Sequence, residues 1–279
     1  MTNALEIKNI RKKRGDFALT IEDLTLPSGC IMGLIGENGA GKSTTIQLIL
    51  DTLRKDGGTI RVLGQEDIAS VKQDLGVVLD EVGFPDCLNP LQIEKIMEDI
   101  FTRWDHDLYQ QLLKKFSLTE NKKFKEFSKG MKMKLGIAVA LSHHPRLLLL
   151  DEPTSGLDPV ARDELLDIFA DFTRNEEHSI LISSHIVSDL EKICDYIAFL
   201  HKGKLCLCQE KDSLRESFGI WHGTPTQLET LPPHAVYGKR KTAYDTQALV
   251  RRDAVGSKME LSPIGIEDLF IFMAREDQT

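Results

Sequence analysis

The run Gly36-Glu-Asn-Gly-Ala-Gly-Lys-Ser-Thr44 follows a short apolar stretch at 30–35 and precedes apolar residues at helical spacing, Ile46, Ile49, Leu50 and Leu53. Glycine lets a backbone wrap closely around phosphates with its N–H groups turned inward. A helix that starts there adds the positive end of its dipole to the same anion site. Gly36, Asn38, Gly39, Ala40 and Gly41 form the wrap, Lys42 can reach the β- and γ-phosphates, Ser43 is placed to ligate Mg²⁺, and Thr44 continues into the helix. The strand before, the helix after and the full G-x-x-x-x-G-K-S spacing separate this run from a chance glycine-rich turn. The reading is a site for a nucleoside triphosphate with Mg²⁺.

Working outward, residues 4–8 alternate as a half-buried strand does, and 30–35 suits a buried one. After a helix over 42–53, Gly57-Gly58 reads as a turn before a strand at 59–63, and 76–79 as another strand. Residues 91–104, 107–116 and 129–142 carry helical patterns. A strand at 147–150, a helix at 159–173, a strand at 179–183, a helix at 186–194 and strands near 196–200 and 204–207 follow. Strands alternating with helices predict an α/β fold with a mainly parallel sheet covered on both faces. The helical stretch interrupts that alternation as an inserted subdomain over about 86–143. From about 220 the sequence is rich in turn formers, so residues 1–219 read as the main domain and 220–279 as a small appendage ending in a helix at 265–275.

The second chemical feature is Leu147-Leu-Leu-Leu-Asp151-Glu152: a buried strand with two acids at its carboxyl end, where open α/β sheets bind ligands. Asp151 would hold Mg²⁺, mostly through water. Glu152 would then polarise the attacking water, because phosphoryl transfer depends on positioning and charge stabilisation.

The stretch DEPTSGLDP at 151–159 resembles the ATP-binding cassette ATPases, the motor subunits of ABC transporters. Their other marks occur in order over residues 4–215. Phe127-Ser128-Lys129-Gly130-Met131 stands where the family signature LSGGQ belongs, with Ser128 and Gly130 matching. Asp158 lies in a stretch that resembles the D-loop, and His185, in LISSH, resembles the switch histidine. The resemblance implies a P-loop NTPase fold with an antiparallel N-terminal β part. It implies two cassettes closing head to tail, with Ser128 and Gly130 of one touching the γ-phosphate held by the other. It also implies a separate polytopic membrane permease, a second cassette subunit in a homodimer or a heterodimer, and a location at the inner, cytoplasmic face of the membrane. A groove near residues 80–90 would receive the permease.

Three positions depart from the pattern. Arg14 stands where an aromatic usually stacks on adenine; a guanidinium can stack, and Phe17 is the nearby alternative. Asp80 stands where a glutamine is usual and could reach Mg²⁺ through water. Lys129 and Met131 replace a glycine and a glutamine of the signature. Similar signatures mark cassettes of the antibiotic- and lipid-export branch, which implies an exporter.

Composition sets the remaining bounds. A net charge of −8 argues against a nucleic-acid binder, which usually needs a basic face, and so disfavours the alternative, a cassette ATPase acting on ribosomes or DNA. A non-hydrolysing regulatory cassette is disfavoured because Lys42, Ser43, Asp151, Glu152 and His185 are all present. No apolar run reaches the roughly 18–20 residues that cross a bilayer; if the protein works on a membrane, another chain must supply the span. Cys206 and Cys208 form C-x-C with no further ligand nearby, which reads as two reduced thiols on one strand face. The lysines between 122 and 134 read as a solvated basic helix face.

Overall fold

The computed structural model describes residues 3–242, 245–256 and 259–274. Its strands are Asn3–Arg14 (β1), Phe17–Pro27 (β2), Ile31–Ile35 (β3), Gly57–Val62 (β4), Leu75–Val78 (β5), Leu147–Asp151 (β6), Ser179–Ser184 (β7), Tyr196–His201 (β8), Lys204–Glu210 (β9), Phe218–Gly223 (β10), Val236–Lys241 (β11) and Thr246–Arg251 (β12). Its helices are Lys42–Ile49 (α1), Pro90–Ile100 (α2), His106–Lys115 (α3), Lys129–Leu141 (α4), Pro159–Phe172 (α5), Val187–Ile193 (α6), Lys211–Ser217 (α7), Pro225–Leu228 (α8), Arg252–Val255 (α9) and Ile266–Ala274 (α10).

One sheet runs β4-β1-β2-β9-β8-β3-β7-β6-β5, and a second runs β10-β12-β11. The half from β8 to β5 is parallel throughout; β1 pairs antiparallel with β2 and β4. This is the mainly parallel sheet with an antiparallel N-terminal part that the sequence implies.

The buried strands are apolar on both faces because both faces are covered. Along β6, Leu148 and Leu150 join one core with Ile180 and Ile182, beneath α3, α4 and α5. Leu147 and Leu149 point the other way and meet Leu181, Met32 and Leu34, together with Leu48 and Ile49 of α1 and the β1–β2 layer. Period-2 alternation thus builds two cores from one run of leucines.

Several boundaries differ from the sequence reading. α1 stops at Ile49 because Asp51 takes φ 54°, and the N–H groups of Thr52 and Leu53 both turn back to the Gln47 carbonyl. Leu53 packs against the core from this capping turn, the role a hydrophobic residue commonly has after a helix end. Gly57 and Gly58 open β4 instead of forming a turn, and a Cβ on Gly58 would lie 2.4 Å from the Asn9 carbonyl oxygen. β2 went unread because its alternation slips: Leu19 and Ile21 are buried, then Leu24 and Leu26, with Glu22 and Asp23 both exposed between them. The slip lies opposite Asn9, whose φ of 52° marks a bulge in β1.

Residues 91–104 do not form one helix. α2 ends at Ile100, and the Phe101 ring stacks on His143 with centroids 3.9 Å apart. Burial holds the His143 imidazole down to about 4. The unfolded chain therefore binds a proton that the folded chain refuses between pH 6.5 and 4, and stability falls as pH drops through that window. The expected loss is at most about 3 kcal/mol, and a His143→Leu variant should flatten that part of a melting-temperature-against-pH curve.

Beyond β9 the chain keeps packing on the same core. Leu214, Phe218, Ile220, Leu249, Ile264, Leu269 and Phe272 are buried in continuity with Ile197 and Phe199 of β8. Phe270 meets Phe199 edge-on at 5.2 Å. The helix expected at 265–275 is α10; Arg275 lies outside the described residues.

Candidate nucleotide site

The carboxyl ends of β3, β6 and β7 open into one cleft of about 590 Å³ lined by Arg14, Phe17, Asn38, Gly39, Gly41, Lys42, Ser43, Thr44, Asp80, Glu152 and His185, with Glu37 and Ser155. The first eleven are residues the sequence points to, drawn from five separated segments. Glu37 lies within the phosphate-loop run and Ser155 within the stretch that resembles the D-loop, but neither residue type signals a role of its own at those spacings.

The phosphate loop owes its shape to backbone conformations that only glycine takes without strain: φ is 81° at Gly39 and 113° at Gly41. Gly36 is fixed by space, since a Cβ there would lie 2.6 Å from the Leu200 carbonyl oxygen. Ala40 is buried beneath the loop. α1 starts at Gly41 without a side-chain cap. The Lys42 ammonium turns back into the loop, donating to the Gly36 carbonyl at 2.7 Å and standing 3.3 Å from Glu152 Oε1. Lys42 is only 6% exposed, so the site holds a nearly dry cation.

The acids stand where β6 ends. Asp151 is buried and sits beside Ser183 of β7, whose hydroxyl donates to Asp151 Oδ1 at 2.5 Å. Glu152 adopts φ 52°, uncommon outside glycine. Its N–H donates to the Ser183 carbonyl and hydroxyl oxygens, both at 3.1 Å. That turn presents the carboxylate between two cations or donors, Lys42 on Oε1 and His185 on Oε2 with Nδ1 at 2.6 Å. A strained residue so fully determined by its neighbours is typical of functional sites. Ser183 was legible in principle, as the register partner of Asp151 in an adjacent parallel strand.

Gly36, Ala40 and Asp151 are buried beside this cleft without lining it, and Ser128, Gly130 and Asp158 lie outside it. Ser128 caps α4, its Oγ accepting the Met131 N–H at 3.2 Å, and it faces outward with Gly130 next to it. Asp158 caps α5 by accepting the Ala161 and Val160 N–H groups, at 3.0 and 3.1 Å. Those bonds, the one from Ala161 foremost, hold its carboxyl below the ordinary carboxylate range. Asp80 lines the cleft but also accepts a hydrogen bond from Lys129 Nζ at 2.7 Å.

The donor set fits the expected ligands. A dry ammonium, glycine-shaped amides and an uncapped helix start suit a triphosphate. A hydroxyl at Ser43 and a buried carboxylate at Asp151 are hard oxygen donors of the kind Mg²⁺ takes.

Comparisons with known proteins agree with this geometry. Residues 19–155 match the ABC transporter family model. The chain is 33% identical to the ABC transporter ATP-binding protein YtrB of Bacillus subtilis over 217 residues, 77% of this chain and 74% of that protein. It is 36% identical to the lantibiotic transport ATP-binding protein SrtF of Streptococcus pyogenes over 211 residues, 75% of this chain and 91% of that one. It is 33% identical to the bacitracin transport ATP-binding protein BcrA of Enterococcus faecalis, over 74% of this chain and 68% of that one. A solved ATP-binding subunit of an ABC transporter superposes with a TM-score of 0.66 at 29% identity, covering 76% of this chain and 92% of that one. The chain therefore belongs to the ABC transporter family, among its nucleotide-binding ATPase subunits.

Proposed function

We propose that this chain works as half of a composite site, closing head to tail with a second cassette around two ATP molecules and so driving a separate membrane permease. One observation carries this reading. The cleft gathers Lys42, Ser43, Glu152 and His185, while Ser128 and Gly130 stand at an exposed helix start outside it. A helix start is an anion site, and a second subunit's phosphates can reach this one.

Within the cleft, Lys42 and the loop amides bind the phosphates, and Arg14 or Phe17 receives the adenine. Glu152 accepts a proton from the attacking water, and His185 orients Glu152 and faces the γ-phosphate. Ser43 and Asp151 would hold Mg²⁺, with Asp80 reaching it through water. When bound, the metal neutralises charge on the phosphate oxygens.

Among the described residues no helix is long and apolar enough to cross a membrane, which supports a permease on another chain and a place at the cytoplasmic face of the membrane. SrtF and BcrA are named for lantibiotic and bacitracin transport, which supports an exporter of similar peptides. The proposed domains are a cassette over 1–219, with helices α2 to α4 as its helical subdomain, and an appendage from 220.

Copurification tests the assignment: a tagged chain is expected to bring down a polytopic membrane protein, and a fully active chain with no such partner would count against it. Lys42→Ala should weaken ATP binding by about 10- to 100-fold, the loss of charge-assisted hydrogen bonds from a dry site. Isothermal titration with ATP checks this.

A further inference from the structure

Two of the positions where this sequence departs from the family pattern face each other. Lys129 Nζ donates to Asp80 Oδ1 at 2.7 Å, with the two side chains 54% and 47% exposed. A lysine at the first position of a helix is set against the dipole, and α4 has no acid in its own first turn to offset it. Asp80, from the segment after β5, supplies that charge. The Lys129 stem runs beside the turn at Ser155 and Gly156: a Cβ on Gly156 would lie 3.8 Å from its Cδ. Other lysines of α4 are engaged elsewhere, Lys132 over the Phe124 ring at 4.6 Å and Lys134 near Glu164 at 3.8 Å.

An exposed ion pair contributes little net stability and exchanges readily. A phosphate oxygen brought against Ser128 would carry more charge than a carboxylate, in an interface that excludes water. We propose that Lys129 is an additional phosphate contact to the nucleotide bound by the second subunit, and that Asp80 holds its ammonium within the chain until the subunits close. The inference rests on the head-to-tail reading above. It assigns the lysine a role that a glycine at that place cannot perform.

The test is ATP-dependent dimerisation of the full chain carrying Glu152→Gln, followed by light scattering across an ATP titration. Adding Lys129→Ala should raise the ATP concentration for half-dimerisation about tenfold, with monomer affinity for a fluorescent ATP analogue unchanged. Lys129→Arg should stay near the parent. Lys129→Gln keeps a donor for Asp80 but not the trans cation, and should remain defective. Unchanged dimerisation by Lys129→Ala, or rescue by Lys129→Gln, overturns the proposal and leaves the pair as a tie between β5 and α4. If the Glu152→Gln parent binds ATP but stays monomeric, the head-to-tail reading fails first and takes this inference with it.

Discussion

Glu152→Gln is expected to lower steady-state ATP hydrolysis by about 10²- to 10⁴-fold, the range a positioned general base supplies, while ATP binding survives. The substitution keeps the size of the side chain and its capacity to accept from His185. What it removes is the negative charge shared between Lys42 and His185, at 3.3 and 2.6 Å, and with it the basicity that accepts the proton. The backbone should hold, because φ at Glu152 is fixed by N–H donation to the Ser183 carbonyl and hydroxyl oxygens, and neither bond uses the side chain. A phosphate-release assay reads the rate, and an equilibrium titration reads the affinity. Parent-like turnover in this variant would remove Glu152 from the role of base. Loss of binding with loss of turnover would show instead that its charge is needed to keep Lys42 in place.

How much of this was legible beforehand follows from the range of each interaction. The phosphate loop and Asp151-Glu152 could be read because each is set by local backbone geometry at the end of a buried strand, and an apolar run of four or five residues announces such a strand; His185 is legible only through the family resemblance. Their convergence in one cleft follows from the order β3, β7, β6 in a parallel sheet, which the alternation of elements implies. The Asp80–Lys129 pair could not be read, since 49 residues separate its members and neither residue type declares a partner. β2 was hidden by a one-residue slip of phase beside Asn9, where tertiary pairing overrides a period that sequence reading requires to be regular. Beyond residue 217, the turn-forming composition is real, yet Phe218, Ile220 and Leu249 are buried because short strands need only a few inward side chains.

Phe272→Ala should destabilise the whole chain by about 3–5 kcal/mol, the cost of emptying a fully buried aromatic site. Phe272 is 0% exposed. Its backbone carbonyl would lie 2.5 Å from a Cβ on Gly238, and the Arg240 guanidinium lies over its ring at 4.9 Å, so β11 and α10 close on each other without slack. The same residue belongs to the core that contains Phe199 of the main sheet. A hole made in the appendage is therefore a hole in the cassette's own core, and neighbouring layers cannot relax into it independently. The two tryptophans report the two regions: Trp221 lies on β10 and Trp104 follows α2. In single-tryptophan versions made with Trp104→Phe or Trp221→Phe, denaturant midpoints at both probes should fall together on adding Phe272→Ala. A transition that moves at Trp221 while Trp104 keeps its midpoint would show that the segment from 220 folds as a separate unit, and that the shared core does not couple it to the nucleotide site.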